Sequence, residues 1–416
     1  MVRAALPSRS ALLSYARYGD HEHGSVPSYA AFVVSPQGGE RLFALGRADR
    51  IDALVSRWRA ELLKEGRSGG RSRRRNLASY RSAGEALRRT VWDPVAPALA
   101  GARTVYVTPD GTLGLVSLIS LPSGPDRYLA EMGPTLHVLP AERDLVADGT
   151  PSGRGLLVAG DPDFQRAASD PRLARTAASG RRVERARVER DCDSPLSLKF
   201  RPLPHSAQEV TEIATLWRDL EPGDGDAVTL SRGAATEAAV RRLAPGRRIV
   251  HLATHGFFLP GQCGNGTSPA SSEALLRSGL ALAGASQRAA STRGQEDGVL
   301  TAEEAASLDL AGVEWAVLSG CDTGMGDVEE RDGVFGLRRA FQIAGARVVI
   351  MSLWPVDDES AHLFMRGLYT ARFASGQSTP EAVRSASLEV LRARRARGES
   401  EHPFYWAAFV AAGLDR

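Results

Sequence analysis

Residues 249–256 read IVHLATHG, an apolar run that ends in a His-Gly pair. A second run of this kind, residues 315–324, reads WAVLSGCDTG and carries Cys321 among small residues. Short apolar runs of this type are typical of strands that are buried on both faces of a parallel sheet. Together they predict an α/β fold in which helices cover both sides of the sheet.

Strand-like and helix-like segments alternate outward from these two runs, from Gly155 onward. This alternation predicts a mostly parallel sheet flanked by helices. The predicted strands are 156–159, 227–230, 248–253, 315–318 and 347–353, and the predicted helices are 206–220, 236–243, 301–307, 333–344 and 357–374.

The first third of the chain predicts a smaller α/β unit. A turn signal at Pro36–Gly39 separates two short apolar runs, 29–34 and 41–45, which is typical of a hairpin. Two helices, 49–63 and 83–99, and two strands, 104–107 and 136–139, are expected to follow. We therefore predict two units, residues 1–150 and residues 151–416.

Each of these two apolar runs is followed by a reactive side chain, His255 after the first and Cys321 after the second. Sites in open α/β sheets gather at the carboxyl ends of the strands. If the two strands are parallel neighbours, the His255 imidazole and the Cys321 thiol emerge at one edge of the sheet. A cysteine attacks as the thiolate, and a nearby imidazole can take its proton. The pair predicts a nucleophile and a general base.

Gly256 adds a third element to this candidate site. Glycine lets a substrate backbone approach closely, and its N–H can point toward the reacting carbonyl group. Together with the N–H of Cys321, it would stabilise the developing oxyanion. Losing one such donor typically costs about 2.7–4 kcal/mol of transition-state stabilisation.

Other interpretations of the same residues stay open. A single cysteine at a strand end is more often inert core than nucleophile. His251 lies on the same strand face as His255, where a packing or orienting role is expected. A zinc site built from His251, His255, Cys263 and Cys321 lacks the ligand spacing of known zinc sites. We therefore expect no metal and no cofactor.

Composition narrows the class of protein. The 416 residues are 43% hydrophobic and 24% charged, which excludes a fibrous or wholly disordered chain. No apolar run is long enough to span a membrane, and charges interrupt any secretory leader. Three scattered cysteines make no disulfide framework, so we expect a cytoplasmic protein.

Nucleic acid is not an expected partner. The net charge is only +3, and the arginine clusters at 67–75 and 181–190 lack interleaved aromatic residues or a recognisable module. Solvated loops explain these clusters better than a binding surface does. A steep dependence of binding on salt would be the signature of phosphate contacts.

These two runs, together with further blocks of the sequence, resemble the caspase-like clan of cysteine peptidases. The resemblance is strongest to its CHAT-domain branch, which is related to caspases and separase. The resemblance extends from about Ser28 to Gly413. The matching blocks are residues 250–258, 317–324, 332–341, 344–347, 352–358 and 405–409, with Pro109–Gly111 and the helix around Glu209 upstream.

The resemblance implies a caspase-like fold and a cysteine endopeptidase with His255 as base and Cys321 as nucleophile. It implies that residues 1–150 are a degenerate, pseudo-protease-like half that supports a catalytic half, residues 151–416. Gly320 and Asp322 stand where the family commonly has Ala and Glu. No helical repeat array is present, so a separate activator protein is expected, in a bacterial defence or signalling setting. The alternative is a silent protease-like module that binds a partner protein without cutting it.

Substrate preference is expected to depend on Asp357 and Asp358. A pocket for a basic side chain needs a carboxylate, and separases have an acidic residue in a similar stretch. Asp357 also opens a predicted helix, where a carboxylate is stabilising without any substrate. The sequence favours neither interpretation, a substrate pocket or a helix cap, over the other.

Overall fold

The computed structural model describes residues 1–19, 26–68, 73–146, 152–165, 199–258, 278–290, 296–320 and 330–414. Its strands are β1 Ser10–Tyr18, β2 Ser28–Ser35, β3 Gly39–Arg47, β4 Thr104–Thr108, β5 Thr135–Val138, β6 Leu156–Pro162, β7 Ala227–Arg232, β8 Ile249–Ala253, β9 Gly256–Phe258, β10 Ser278–Ala281, β11 Val299–Thr301, β12 Trp315–Leu318, β13 Val348–Ser352 and β14 Phe409–Gly413. Its helices are α1 Val2–Ala5, α2 Ala48–Ser68, α3 Arg73–Val91, α4 Leu129–Met132, α5 Pro204–Leu220, α6 Glu237–Leu243, α7 Ala302–Ala306, α8 Glu330–Ile343, α9 Asp358–Tyr369 and α10 Thr379–Ala396.

One large sheet organises the molecule. Its eleven strands run in the order β3-β2-β1-β4-β5-β14-β13-β12-β8-β6-β7. Strands β13, β12, β8, β6 and β7 are parallel to one another, as are β1, β4 and β5. Strands β2, β3 and β14 add the antiparallel pairs. The prediction of a mostly parallel sheet flanked by helices is confirmed.

The central strands are buried because both faces of the sheet are covered. Every residue of β8, β12 and β13 is buried. Burying one large apolar side chain contributes about 1.5–3 kcal/mol, so three such strands anchor the core. Trp315 of β12 also donates its indole N–H to Thr379 Oγ1 at 2.9 Å, which ties the sheet to α10.

Two of the helices begin with side-chain caps. Thr236 accepts a hydrogen bond from the N–H of Ala239 at the start of α6. Thr301 and Glu304 form a reciprocal capping box at the start of α7. Such caps contribute about 1 kcal/mol each. Helices α6 and α7 therefore begin within one residue of their predicted starts at 236 and 301.

The second predicted helix is wrong in its bounds. Helix α3 spans Arg73–Val91, and residues 96–99 form a separate short 3-10 turn. Pro94 accounts for the break, because it lacks a backbone N–H and disfavours helical conformation at Asp93. Strands β1 and β14 and helix α10 were not among the predicted elements.

A second, three-stranded sheet has the order β11-β10-β9 and is antiparallel. Only two residues, Thr254 and His255, separate the end of β8 from the start of β9, and the chain passes from one sheet to the other there. The carbonyl of His255 accepts a hydrogen bond from the N–H of Ala281 at 2.8 Å. The backbone of His255 thus lies at the junction of the two sheets.

Strands β1 to β5 lie before residue 150, and the remaining strands lie after residue 151. One sheet runs through both units. That the first unit is a degenerate copy supporting the second stays a prediction. In the part of the chain that the structure describes, none of the helices combines the length and apolarity that crossing a membrane needs.

Candidate active site

Strands β8 and β12, which precede His255 and Cys321 in the chain, are parallel neighbours in the sheet. The register pairs Leu318 of β12 with Leu252 of β8, so both strands end at the same edge of the sheet. Past the strand ends, the N–H of Gly256 donates to the carbonyl oxygen of Gly320 at 3.0 Å. The residue after His255 therefore contacts the residue before Cys321. Cys321 itself lies outside the described residues.

His255 is buried and its ring is fixed on three sides. Only 4% of the surface of His255 is exposed to solvent. The ring of Phe200 stacks on it with centroids 5.7 Å apart, and the ring of Phe164 lies 5.3 Å away. Nε2 lies 2.7 Å from the carbonyl oxygen of Arg201.

The contact with Arg201 decides the tautomer of the neutral imidazole. A carbonyl oxygen only accepts hydrogen bonds, so Nε2 must carry the proton. Nδ1 is then the ring atom that can accept a proton. This is the orienting role that a third group commonly has beside a nucleophile and a base.

Gly320 is required by the backbone of the neighbouring strand. A Cβ atom at this position would lie 2.1 Å from the carbonyl oxygen of Thr254. That contact is far inside van der Waals distance, and the obstacle is main chain rather than a movable side chain. An alanine at this position would therefore clash with the main chain of Thr254.

The N–H of Gly256 is not free in this conformation, in contrast to the expectation from the sequence. It is donated to Gly320, as described above. An oxyanion site that uses Gly256 requires this hydrogen bond to be shared or released. The oxyanion role of Gly256 and Cys321 stays a prediction.

A cleft opens beside His255 at the carboxyl ends of the strands. Besides His255, it is lined by Leu203, Ser206, Glu209, Ala253, Ser319, Gly320, Val356, Asp358 and Ala361. Two of these residues, Glu209 and Asp358, are acidic. The cleft therefore combines an imidazole with two carboxyl groups beside the residue that precedes Cys321.

The structure distinguishes the two candidate aspartates. Asp357 is the N-cap of α9, and its Oδ2 accepts hydrogen bonds from the N–H and the hydroxyl of Ser360 at 3.0 and 2.8 Å. Asp358 lines the cleft, and its Oδ2 accepts from the N–H of His205 at 2.9 Å. Burial raises the pKa of the Asp358 carboxyl group, and the nearby Glu209 and Asp357 raise it further.

A buried hydrogen-bonded cluster lies next to the cleft. His251 is completely buried, with Nε2 2.7 Å from Glu209 Oε1 and Nδ1 3.0 Å from the hydroxyl of Tyr369. Both ring nitrogens of His251 are thus within hydrogen-bonding distance of buried side chains, those of Glu209 and Tyr369. These contacts fit the packing or orienting role expected of His251 and hold the Glu209 carboxyl group in place.

A family model for the CHAT domain matches residues 81–414. The chain belongs to the CHAT domain family. Its caspase-like α/β fold is also found in the separase of Saccharomyces cerevisiae, solved as a complex with securin. That structure superimposes with a TM-score of 0.55 at 8% identity, over 99% of this chain and 30% of that chain.

Two other similar proteins match a smaller share of this chain. Human tetratricopeptide repeat protein 28 is 33% identical over 28% of this chain, and the match spans 4% of the human protein. The Arg-specific cysteine proteinase gingipain R has a TM-score of 0.44 at 8% identity, over 80% of this chain and 67% of that chain. The match thus spans only a small part of the curated relative's length.

The zinc hypothesis gains no support from the described part of this CHAT domain. No group of three or more His, Cys, Asp or Glu residues in that part is arranged to hold a metal ion. Two of the four proposed ligands, Cys263 and Cys321, lie outside the described residues.

Sequence reasoning missed three groups that position His255 in the CHAT domain. The Arg201 carbonyl leaves no signal in the sequence, because any residue offers a carbonyl group. Phe164 and Phe200 flank a long segment rich in Ser, Gly, Pro and Arg. An apolar residue at each edge of a predicted loop was the available signal, since such residues seldom stay exposed.

Proposed function

We propose that this CHAT domain is a cysteine endopeptidase in which His255 is the general base and Cys321 is the nucleophile. The observation that carries the proposal is the orientation of His255. Its Nε2 lies against the Arg201 carbonyl oxygen and so carries the proton of the neutral ring, which makes Nδ1 the basic nitrogen, and the adjacent Gly256 contacts the residue before Cys321.

The proposed reaction begins with transfer of the Cys321 thiol proton to Nδ1 of His255. The thiolate attacks the scissile carbonyl carbon, and the resulting imidazolium then gives its proton to the leaving amine. The acyl group stays on Cys321 as a thioester. A water molecule, deprotonated by the same imidazole, hydrolyses the thioester and restores the thiol.

Stabilisation of the tetrahedral intermediate is the second part of the proposal. The N–H groups of Gly256 and Cys321 would donate to the oxyanion. Because Gly256 already donates to Gly320, substrate binding must displace or share that hydrogen bond. A site that assembles only with substrate trades catalytic power for specificity.

Asp358 is proposed to recognise a basic substrate side chain before the scissile bond. It shares the cleft with Glu209, and burial raises its pKa. A cationic guanidinium or ammonium group would stabilise the ionised carboxylate. Asp357, the other expected substrate-binding residue, is engaged at the N-cap of α9, so we assign it a supporting role.

Cleavage of a peptide library, analysed by mass spectrometry, tests the proposal. Cys321→Ala and His255→Ala should each abolish cleavage that the unmodified protein shows. Cys192→Ala and Cys263→Ala are matched controls that should retain it. A Cys321→Ala protein that cleaves at the unmodified rate would refute the assignment.

The runner-up is a protease-like module that binds a partner protein without cutting it. The occupied N–H of Gly256 favours this alternative, because an oxyanion site is not assembled in this conformation. Binding of a partner with no cleavage by either the unmodified or the Cys321→Ala protein would support it. Action in a bacterial defence or signalling pathway, a separate activator protein and a cytoplasmic location remain predictions based on the sequence.

A further inference from the structure

A groove opens beside the carboxyl-terminal parts of β1 and β4, in the first unit of the chain. Its lining includes Ser14, Phe32, Glu40, Thr108, Asp110 and Glu142. The volume of the groove is about 560 Å³, and ligand sites typically have roughly 300–1,000 Å³. The groove and the cleft at His255 share no lining residue among those described.

The groove and the cleft at His255 lie at opposite ends of the strands. Strands β1, β4 and β5 are parallel to β14, and β14 is antiparallel to β13. Strands β13, β12 and β8 are parallel to one another. The carboxyl end of β4 therefore points away from the carboxyl end of β8. A molecule bound in the groove leaves the cleft at His255 open.

The floor of the groove is an apolar sheet face that water can reach. Leu12, Phe32 and Val34 of β1 and β2 line it, and Phe32 is 41% exposed. The same face continues onto β3, where Leu42 pairs with Phe32 and is 65% exposed. The open face of an antiparallel sheet normally carries polar side chains. Adjoining exposed apolar side chains therefore indicate an interaction surface.

The rim of the groove is negatively charged. Glu40, Asp110 and Glu142 line it, and the described lining contains no Lys, Arg or His residue. Asp110 accepts hydrogen bonds from two backbone N–H groups, and Glu142 accepts one from the hydroxyl of Ser14. These donors are neutral, and a carboxylate can accept further hydrogen bonds. The rim therefore favours a cationic group.

A buried hydroxyl group on the wall of the groove also points to a ligand. Thr108 is 8% exposed, and its Oγ1 has no hydrogen-bond partner among the described residues. Thr108 of β4 lies opposite Ser14 of β1, and both residues line the groove. A buried hydroxyl group without a partner is unfavourable. A hydrogen-bonding group of a bound molecule would remove that cost.

We infer that this groove binds an extended segment of a partner protein in which basic residues are interspersed with apolar ones. The basic side chains pair with the acidic rim, the apolar side chains pack on Phe32, and a peptide group hydrogen-bonds to Thr108. A small amine would fill the groove but leave Leu42 uncovered, because the apolar face extends beyond the groove. A longer chain covers both parts of this face.

Fluorescence anisotropy with a labelled pentapeptide, Leu-Arg-Val-Arg-Phe, tests this inference. The full chain carries Cys321→Ala, so that the peptide stays intact. Saturable binding with a Kd of roughly 1–100 μM is expected. Replacing both arginines with citrulline, which is neutral and similar in shape, should weaken binding about tenfold because two ion pairs are lost. N-acetylarginine amide should bind about tenfold more weakly or worse, since it lacks the apolar side chains.

Variants distinguish the groove from the cleft at His255. Phe32→Ala removes apolar contact and should weaken pentapeptide binding about tenfold. Thr108→Val removes only a hydroxyl group and should weaken it about fivefold. Asp358→Asn, in the cleft at His255, should leave binding unchanged. Ile343→Ala, which removes another exposed apolar side chain, is the control for Phe32→Ala.

Several outcomes would overturn the inference. They are absent binding of the pentapeptide, equal binding of the citrulline peptide or of N-acetylarginine amide, and unaltered binding by Thr108→Val. Binding that is lost in Asp358→Asn and kept in Phe32→Ala would place the peptide in the cleft at His255 instead. Thr108→Val keeps the test decisive even if Phe32→Ala fails to fold, because the Thr108 hydroxyl has no hydrogen-bond partner among the described residues.

Discussion

The backbone N–H of Gly256 donates a 3.0 Å hydrogen bond to the carbonyl oxygen of Gly320. This bond joins the residue after the proposed base to the residue before the proposed nucleophile. It forms because Gly320 packs directly on the main chain of Thr254, where a Cβ atom would lie 2.1 Å from the Thr254 carbonyl oxygen. Main-chain contacts thus join the end of β8 to the segment after β12.

Gly320→Ala is expected to destabilise the fold by about 1–3 kcal/mol, since the new methyl group must push two backbone segments apart. Urea denaturation of the purified protein measures the change. Gly223→Ala is the matched control, because a Cβ atom there meets no atom within 4 Å. Equal stabilities for the two variants would show that Gly320 is not packed as described.

The tautomer of His255 can be measured without any substrate. We expect the neutral ring to carry its proton on Nε2, because Nε2 lies 2.7 Å from the carbonyl oxygen of Arg201. Long-range proton–nitrogen correlation spectra of histidine-labelled Cys321→Ala protein report this directly. His255→Gln assigns the signal among the eight histidines. A neutral ring protonated on Nδ1 would contradict the geometry.

The cleft predicts different outcomes for two adjacent aspartates. Asp358→Asn should lower kcat/KM for substrates with arginine before the cut, relative to norleucine, by about tenfold or more, since a charged hydrogen bond is lost. Asp357→Asn is the control. Asparagine caps helices as well as aspartate does, so the preference and the stability should both stay close to those of the unmodified protein.

The opposite pattern, with preference altered by Asp357→Asn and not by Asp358→Asn, would reverse the assignment. Retained cleavage with an unaltered preference in both variants would remove the acidic pocket from the proposal. It would leave the roles of His255 and Cys321 untouched.

The sequence alone predicted those strands that consist of a continuous apolar run. Residues 248–253 and 315–318 were predicted as strands because both runs are mainly apolar, and the shared site at their ends depended on the condition that the two strands are parallel neighbours. Strand β9 has only three residues, so periodicity had nothing to detect. The choice between Asp357 and Asp358 depends on which residue is the N-cap of α9, and helix bounds are uncertain by that one residue. The Arg201 carbonyl is beyond sequence reasoning, because it belongs to the main chain.

Glu237 makes stability depend on pH near neutrality. It is buried at the start of α6, and its Oε1 accepts a hydrogen bond from the N–H of Gly298 at 2.7 Å. Burial, followed by the charges of Asp297 and Glu304, raises the pKa of the Glu237 carboxyl group to about 7. The folded state therefore holds this proton more tightly than the unfolded state does.

The sign of the effect follows from this difference. Below about pH 4.5, the model-peptide pKa, both states are protonated and the contribution of Glu237 is fully present. As pH rises to about 7, only the unfolded state releases the proton, so stability falls by about 2–3 kcal/mol in total. His402 acts in the opposite sense, because burial lowers its pKa to about 3 and its contribution is lost as pH falls below 6.5.

Glu237→Gln isolates the Glu237 contribution, since glutamine keeps the acceptor for Gly298 and does not titrate. Urea denaturation at several pH values should show the variant gaining about 2–3 kcal/mol on the unmodified protein between pH 4.5 and 7. Glu303→Gln, the same change at an exposed position of α7, controls for general loss of negative charge. A constant difference between Glu237→Gln and the unmodified protein across this range would mean that the carboxyl group has the same pKa in the folded and unfolded states.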